Sequence, residues 1–350
     1  MNETKLHELV GKAVAEWSIA ESAPLIYIGD RLGLYRAMAG AGPLTSQALA
    51  DRTGTRERYV REWLGNQAAG GIVEYHPVDG TYELIDEAAE LWAREDSPFF
   101  FAGAWELIAS LWADADRVAD AFRSGEGIGW GEHDDRLYGG CQRIYSPLYR
   151  GSLVREWIPA LDGVEEKLRR GARVADVGCG YGISTTLLAE AYPNSTFVGY
   201  DAHPGSIEAA QKAAAEAGVA DRVSFEVADA SAFGGRGFDL VCFFDSLHDM
   251  GDPVGALVHA RATLAEDGTV MVVEPAAGNS LEDNLNPVSR IYYAGSTFLC
   301  TPSSLAQPGA LGLGAQAGPR RLGQVLAEAG FSQHREAVAS PFNIVLEARR

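Results

Sequence analysis

Lysine is scarce in this sequence. Of 29 basic residues only Lys5, Lys12, Lys167 and Lys212 are lysine, and 48 acids oppose them. The net charge of -19 and the sequence pI near 4.8 describe a surface that repels phosphate backbones, so no nucleic-acid partner is expected. Cysteine is sparse too. Cys141, Cys179, Cys242 and Cys300 are scattered without a Cys-x-x-Cys pair, so reduced thiols are expected rather than disulfides, and no metal. No apolar run approaches the ~18 residues that span a bilayer. Met1 to Glu8 is polar and lacks an apolar signal core. These absences predict a cytoplasmic protein with no membrane partner.

What is present is ordinary globular composition. The 350 residues are 47% hydrophobic and 22% charged, with mean hydropathy -0.08. That length suits two domains, or one with a large appendage. Apolar residues recur at helical spacing from Leu6 to Met38, and Pro24 and Gly33 should divide that stretch into shorter helices. Thr45 is placed to cap a helix beginning at Ser46. A turn at Thr53-Gly54-Thr55 leads to a second helix from Arg56 to Ala69, with Tyr59, Val60, Trp63 and Leu64 on one face. Ile72 to Tyr75 and Tyr82 to Leu84, around Asp79-Gly80, read as a hairpin. Helix, turn, helix and two-stranded wing form a winged-helix pattern. A DNA reader would need a basic excess on the second helix. Here Arg52, Arg56, Arg58 and Arg61 are matched by Asp51, Glu57, Glu62 and Glu74. A dimerisation and lid module fits better, and a ligand-sensing transcription regulator is the alternative.

Asp86 to Gly163 reads as further helices, with Phe99-Phe100-Phe101, Trp105 and Trp112 expected in the core. Gly125 to Gly151 mixes glycine with Trp130, Tyr138, Tyr145 and Tyr149. That composition suits either a mobile cover with flat apolar faces over a small-molecule pocket or a surface loop pinned by its own aromatics. The four aromatics are the candidate substrate contacts. Glu132-His133-Asp134-Asp135 is read as a solvated acidic loop.

From Gly171 strands and helices alternate, which indicates an open α/β sheet. Val174-Ala175-Asp176-Val177 is an apolar strand running into Gly178-x-Gly180-x-Gly182, and Ile183 to Ala191 then reads as a helix. Such glycines let the backbone turn sharply beside a ligand, and the helix start offers free amides. The second strand ends on Asp201, nineteen residues after Gly182, where a carboxylate can accept from ribose hydroxyls. The third ends on Asp229, where a carboxylate can accept from an adenine amine. The glycine spacing differs from the G-x-G-x-x-G of NAD sites. The last two strands, His334 to Ala339 and Asn343 to Glu347, are linked by Ser340-Pro341-Phe342, which requires an antiparallel pair.

With these residues in view, the region from about Gly171 to Arg350 resembles the class I S-adenosylmethionine-dependent methyltransferases. With its winged-helix front end the whole chain is similar to the small-molecule O-methyltransferases of plant caffeate and bacterial polyketide metabolism. It resembles more nearly still a bacterial subgroup ending in Gly330-Phe331-Ser332 and Phe342-Asn343-Ile344-Val345. The resemblance implies a seven-stranded Rossmann-like sheet with a reversed last strand. It also implies S-adenosyl-L-methionine as methyl donor, S-adenosyl-L-homocysteine as product, and a homodimer built through the N-terminal region. The implied domains are residues 1–95 (winged-helix dimerisation), 96–165 (helical connector and substrate lid) and 166–350 (cofactor binding).

The same resemblance assigns roles. Asp176, Gly178, Gly180 and Gly182 would cradle the methionine portion. Asp201 would hold the ribose, with Ala202 and His203 beside it. Asp229 and Ala230 would contact adenine. Phe244 and Asp245 would line the sulfonium side. His248 occupies the place of the family's general base, in a His-Asp-Trp motif that reads His248-Asp249-Met250 here. Glu274 matches the acid that steadies that histidine. Glu282 and Asp283 are the candidates for a second bracketing acid. A sulfonium near the ring should keep His248 neutral. The implied reaction is methylation of a small aromatic or hydrophobic acceptor, most often at oxygen.

Overall fold

The first stretch of apolar residues at helical spacing, from Glu3 to Arg31, forms one continuous helix (α1). Asn2 caps it by accepting from the Lys5 amide at 3.1 Å. The expected break at Pro24 does not occur. Ala20 and Pro24 are both exposed, so water can take the carbonyl that loses its intrahelical donor. Gly33 does end the run, with φ of 71°. The computed structural model describes residues 1–350, and they divide into two compact units.

The first unit comprises Met1–Ser110 and Gly139–Leu148. After α1 come α2 (Leu34–Met38), α3 (Ser46–Thr53) and α4 (Glu57–Ala69), then the antiparallel wing β1 (Glu74–His76) and β2 (Thr81–Glu83), and α5 (Asp86–Trp92). Thr45 caps α3 through the Ala48 amide at 3.2 Å. The core gathers Tyr35, Met38, Leu49, Trp63 and Leu64, and each aliphatic side chain buried there stabilises the unit by about 1.5–3 kcal/mol. Tyr35 donates its hydroxyl to Gln67 at 2.6 Å, so the buried phenol is not left unpaired. Tyr59 points to solvent, unlike its neighbours on α4. Arg58 and Arg61 are taken by Glu62 and Glu57 of their own helix, at 2.6 and 2.8 Å. Phe99 and Phe101 are exposed and only Phe100 is buried, which corrects the expectation of a packed triple.

The segment rich in glycine and aromatics is loop only in its first half and helical from Arg136 onward. Trp130–Glu132 forms a single 3-10 turn and Arg136–Ser152 a helix (α8), preceded by α6 (Gly103–Ala113) and α7 (Ala115–Ser124). Trp112 on α6 is exposed rather than core. Glycine at position 140 serves close packing. A Cβ there would sit 2.6 Å from the Leu107 amide nitrogen.

The second unit comprises Leu111–Tyr138 and Tyr149–Arg350. After α9 (Val164–Arg170) it alternates β3 (Arg173–Val177), α10 (Ile183–Ala191), β4 (Thr196–Asp201), α11 (Pro204–Glu216), β5 (Val223–Val227), β6 (Phe238–Phe244), α12 (Pro253–Thr263) and β7 (Leu264–Pro275). Then follow α13 (Pro287–Gly295), α14 (Thr301–Leu305), α15 (Gly318–Glu328), β8 (Gln333–Ala339) and β9 (Asn343–Arg349). The seven strands lie in the order β5-β4-β3-β6-β7-β9-β8. All pairs are parallel except those of β9, which runs antiparallel to β7 and β8. β3 is fully buried beyond its first residue, and β6 carries Leu240, Val241, Cys242 and Phe243 in the core. Chain order reverses between β3 and β6, so a crevice is expected outside their carboxyl ends. No helix is long and apolar enough to cross a membrane.

Candidate active site

The glycine turn leaves β3 at that switch point. Gly178, Gly180 and Gly182 all have positive φ, at 75°, 52° and 73°. A Cβ on Gly178 would meet Ser246 at 2.5 Å and one on Gly182 would meet Phe225 at 2.6 Å, whereas the space before Gly180 is open for 4 Å. The outer two glycines therefore allow close packing, and the middle one faces free space. The amides of Gly178 and Cys179 both donate to the Tyr200 carbonyl, at 2.8 and 3.0 Å, tying the turn to β4.

Asp201 ends β4 and reaches back to this turn. Its carboxylate accepts from the Gly180 amide at 2.9 Å and the His203 amide at 2.8 Å. Burial raises its pKa, and those two donors partly offset the rise. Each oxygen keeps a lone pair for a further donor. Ala202 is exposed beside it. His203 precedes α11, bonds Ser206 at 2.9 Å, and stacks on Tyr138 with centroids 4.6 Å apart. Tyr138 donates to the Trp130 carbonyl at 2.9 Å. Asp229 is exposed and its Oδ1 is held by Ser231, which lowers its pKa; Ala230 beside it packs against the core.

Asp176 is buried on β3. One oxygen accepts from Ser184 and Thr185, both at 2.6 Å, which anchors the start of α10. The other has no hydrogen-bond partner. Burial pushes the pKa up to about 6, and the Asp201 charge adds to the rise. Sequence reasoning did not single out Ser184 and Thr185, although their position in the first turn of α10 is a usable signal.

The end of β6 carries the densest chemistry. Phe244 is buried against the Tyr149 ring, 5.8 Å between centroids. Asp245 follows with φ of 48°, a left-handed conformation uncommon outside glycine. Its two oxygens accept from the Tyr149 hydroxyl at 2.7 Å and the Asn343 amide at 2.8 Å. Burial, and then the Glu274 charge, raise its pKa to about 7. Asn343, at the start of β9, also donates to the Glu274 carbonyl at 3.2 Å. Its role depends on β9 returning beside β7, which is why its place near the chain end did not announce it.

His248 lies in a 3-10 turn after β6, only 3% exposed. Its Nδ1 pairs with the buried Glu274 carboxylate from β7, whose other oxygen accepts the Leu247 amide at 3.2 Å. On the opposite side Asp249 Oδ1 stands 3.2 Å from Nε2, close enough to pair but not aligned for a hydrogen bond. Cys300 also bonds the ring. Burial alone would lower the histidine pKa, but Glu274 and then Asp249 outweigh it and hold the ring charged well past its ordinary 6.5. The protein by itself therefore favours imidazolium, contrary to the neutral ring anticipated. Glu282 and Asp283 are exposed, and the second carboxylate beside the ring is that of Asp249.

His133 is the other correction. It is buried, not part of a solvated loop. Its Nδ1 bonds Asp114 at 2.9 Å, and its Nε2 is buried without a partner. It lies near enough to Asp249 to favour that carboxylate's charged form. The main-chain bond from Ile128 to the Pro302 carbonyl, at 3.0 Å, ties the preceding loop to α14. Of the four aromatics expected at the substrate, Trp130, Tyr138 and Tyr149 lie in this unit, whereas Tyr145 belongs to the first unit.

The sheet order, the reversed β9 and the glycine turn at the β3–β6 switch define a class I methyltransferase fold. Comparison with known proteins agrees. Residues 168–330 match the family model of a methyltransferase domain, and residues 20–94 match that of the Rv2258c-like winged HTH domain. An O-methyltransferase structure from Nostoc punctiforme shares 20% identity at a TM-score of 0.73 over 97% of this chain and 98% of that one. Human N-acetylserotonin methyltransferase in complex with SAM shares 16% at 0.70, over 97% of each chain. At such identities the likeness is one of fold. A rice (Oryza sativa subsp. japonica) chloroplastic protein named for tocopherol O-methylation is 29% identical over 58% of this chain and 54% of its own length. The chain spans between 24% and 54% of the length of the curated relatives it matches. Residues 168–330 thus carry a methyltransferase domain in the class I fold, and an Rv2258c-like winged HTH domain lies ahead of it.

Proposed function

We propose that the protein transfers a methyl group from S-adenosylmethionine to the oxygen of a small aromatic or hydrophobic acceptor, with His248 as base. The observation that carries this is the buried Glu274–His248 pair at the end of β6, beside the glycine turn at the switch point.

The residues fit the donor. Open space before Gly180 and the orphaned oxygen of buried Asp176 suit a chain bearing an ammonium group. Asp201 keeps lone pairs for ribose hydroxyls, and exposed Asp229 has one oxygen free of Ser231 for the adenine amine. When bound, S-adenosylmethionine supplies a methyl already activated by sulfonium. The protein's share is alignment, which can contribute about 7–11 kcal/mol, and removal of the acceptor proton, about 10²–10⁴-fold. Glu274 orients the imidazole through Nδ1, leaving Nε2 to take that proton. A neighbouring sulfonium opposes the imidazolium charge, which lowers the raised histidine pKa toward the working range. Phe244, Tyr149 and Asp245 wall the same end of the sheet, and Trp130 and Tyr138 add flat faces for an aromatic acceptor.

The N-terminal unit is assigned a dimer role. All residues from Met1 to Glu21 are exposed, and Leu6, Val10, Val14 and Trp17 share one side of α1, an apolar face that a second copy would cover.

Calorimetry with S-adenosylhomocysteine tests the cofactor assignment. Wild type binds it and Asp201→Ala does not. Binding undiminished in that variant would overturn the site. A screen of phenolic acceptors, read by S-adenosylhomocysteine release, then tests the chemistry.

A further inference from the structure

The turn after β6 meets an element from far along the chain. Ser296–Cys300 forms a π-helical turn leading into α14. Ser304 donates to the Met250 carbonyl at 2.8 Å, and Gln307 donates to the Asp249 carbonyl at 2.9 Å. These two bonds staple α14 and the turn that follows it to the histidine turn and bring the Cys300 thiol against it. The ligating atoms of His248, Asp249 and Cys300 all lie within 4.8 Å of one another.

We propose that His248, Asp249 and Cys300 form a binding site for a thiophilic divalent cation of the zinc class. Three observations support it independently of one another. The first is geometric. Zinc binds imidazole nitrogen and carboxylate oxygen at about 2.0–2.2 Å and thiolate at about 2.3 Å. The 3.2 Å between His248 Nε2 and Asp249 Oδ1 then subtends about 100° at a shared ion, close to tetrahedral. The second is the Asp249 oxygen itself, shielded from water and without a hydrogen-bond partner. The third is Glu274 on the far ring nitrogen. A carboxylate in that position fixes the ring and leaves Nε2 to ligate, as in metal-bound histidines generally.

Charge points the same way. Asp249 and Glu274 flank a single buried imidazole at Nε2 and Nδ1, so a cation there would meet two carboxylates. Sulfur and nitrogen donors favour zinc, cobalt or copper over magnesium or calcium. Binding displaces the thiol proton and any proton on Nε2 into solvent, so affinity rises with pH. Three protein ligands leave a fourth position open. An ion held here would take the lone pair that the proposed base needs; that consequence rests on the function proposed above, whereas the site itself does not.

The test is titration of the full-length protein with Co²⁺ alone, followed by absorption. The expected result is saturable binding of one ion with a thiolate-to-cobalt band, displaced by Zn²⁺. C300A loses the band. D249A keeps it with weaker binding, and E274Q binds about 10–100-fold more weakly. Wild type without saturable binding, or a band that survives C300A, overturns the site. Should C300A fail to fold, D249A and E274Q decide, and unchanged Co²⁺ affinity in both overturns it. S-adenosylhomocysteine calorimetry on the metal-free protein reports separately on the methyltransferase reading.

Discussion

Two regions of the second unit each bury a histidine bound through Nδ1 to a carboxylate. At the end of β6, His248 pairs with Glu274, and its Nε2 meets Asp249 and Cys300. In the loop before α8, His133 pairs with Asp114, and its Nε2 meets nothing. The pairing motif is the same, so what separates the two rings is the far nitrogen. At His248 two carboxylates act on one ring and hold it charged. At His133 a single carboxylate orients the ring and leaves a buried acceptor or donor unspent. The first arrangement stores a proton that a cationic ligand can release. The second offers a hydrogen bond to whatever enters the site.

Removing His248 should have the largest effect. His248→Ala is expected to lower turnover by about 10²–10⁴-fold while S-adenosylhomocysteine binding stays intact. Wild-type turnover in that variant would end its role as base and leave His133 as the better candidate.

The next effect is on pH. Because Glu274 and Asp249 raise the His248 pKa above 6.5, the neutral ring forms only as pH climbs past that value, and kcat/KM should rise with it. Glu274→Gln keeps the shape and removes a charge, so the rising limb should move to lower pH. A limb that does not move would show that Glu274 has no electrostatic hold on the base.

A smaller effect is expected at the second pair. His133→Ala leaves Asp114 without its buried partner and should destabilise the protein by about 1–3 kcal/mol in urea unfolding. If stability is unchanged but acceptor KM rises, the ring serves the ligand rather than the fold.

The smallest effect concerns Tyr149. Tyr149→Phe removes one donor from Asp245, whose pKa already stands at about 7 against an ordinary 3.8. An acid with a raised folded-state pKa destabilises the fold fully above that pKa and not at all below its unfolded value. Tm of the ligand-free protein should therefore fall as pH rises from about 4 to about 7, and the variant should extend that fall upward. A flat Tm profile across that window would show that Asp245 is not strained by its burial.

Much of this site was legible in order along the chain. The apolar strands that carry Asp176 and end on Asp201 announce themselves because a buried parallel strand must be apolar and its carboxyl end must face the crevice. The winged helix was legible for a similar reason, since local periodicity and turn residues define it. Other features depended on partners distant in sequence. The acidic run around His133 reads as solvated until Asp114, nineteen positions earlier, closes on it. Pro24 reads as a break until the exposure of its turn is known, and Gly139 and Gly140 read as loop until Leu107 packs against the second of them.

The sequence by itself determined the alternation of strands and helices, the reversed final strand, the glycine turn and the carboxylates around it. Each of these follows from periodicity or turn chemistry within a few residues. Only the tertiary structure decided that Asn343 reaches Asp245, that Asp249 rather than Glu282 or Asp283 attends His248, and that Cys300 completes a cluster with both. Asn343 and Cys300 come from tens of residues away, and Asp249, though next to His248 in sequence, is set against its ring only by the fold of that turn. These meetings follow from strand order and the stapling of α14, and no local pattern encodes them.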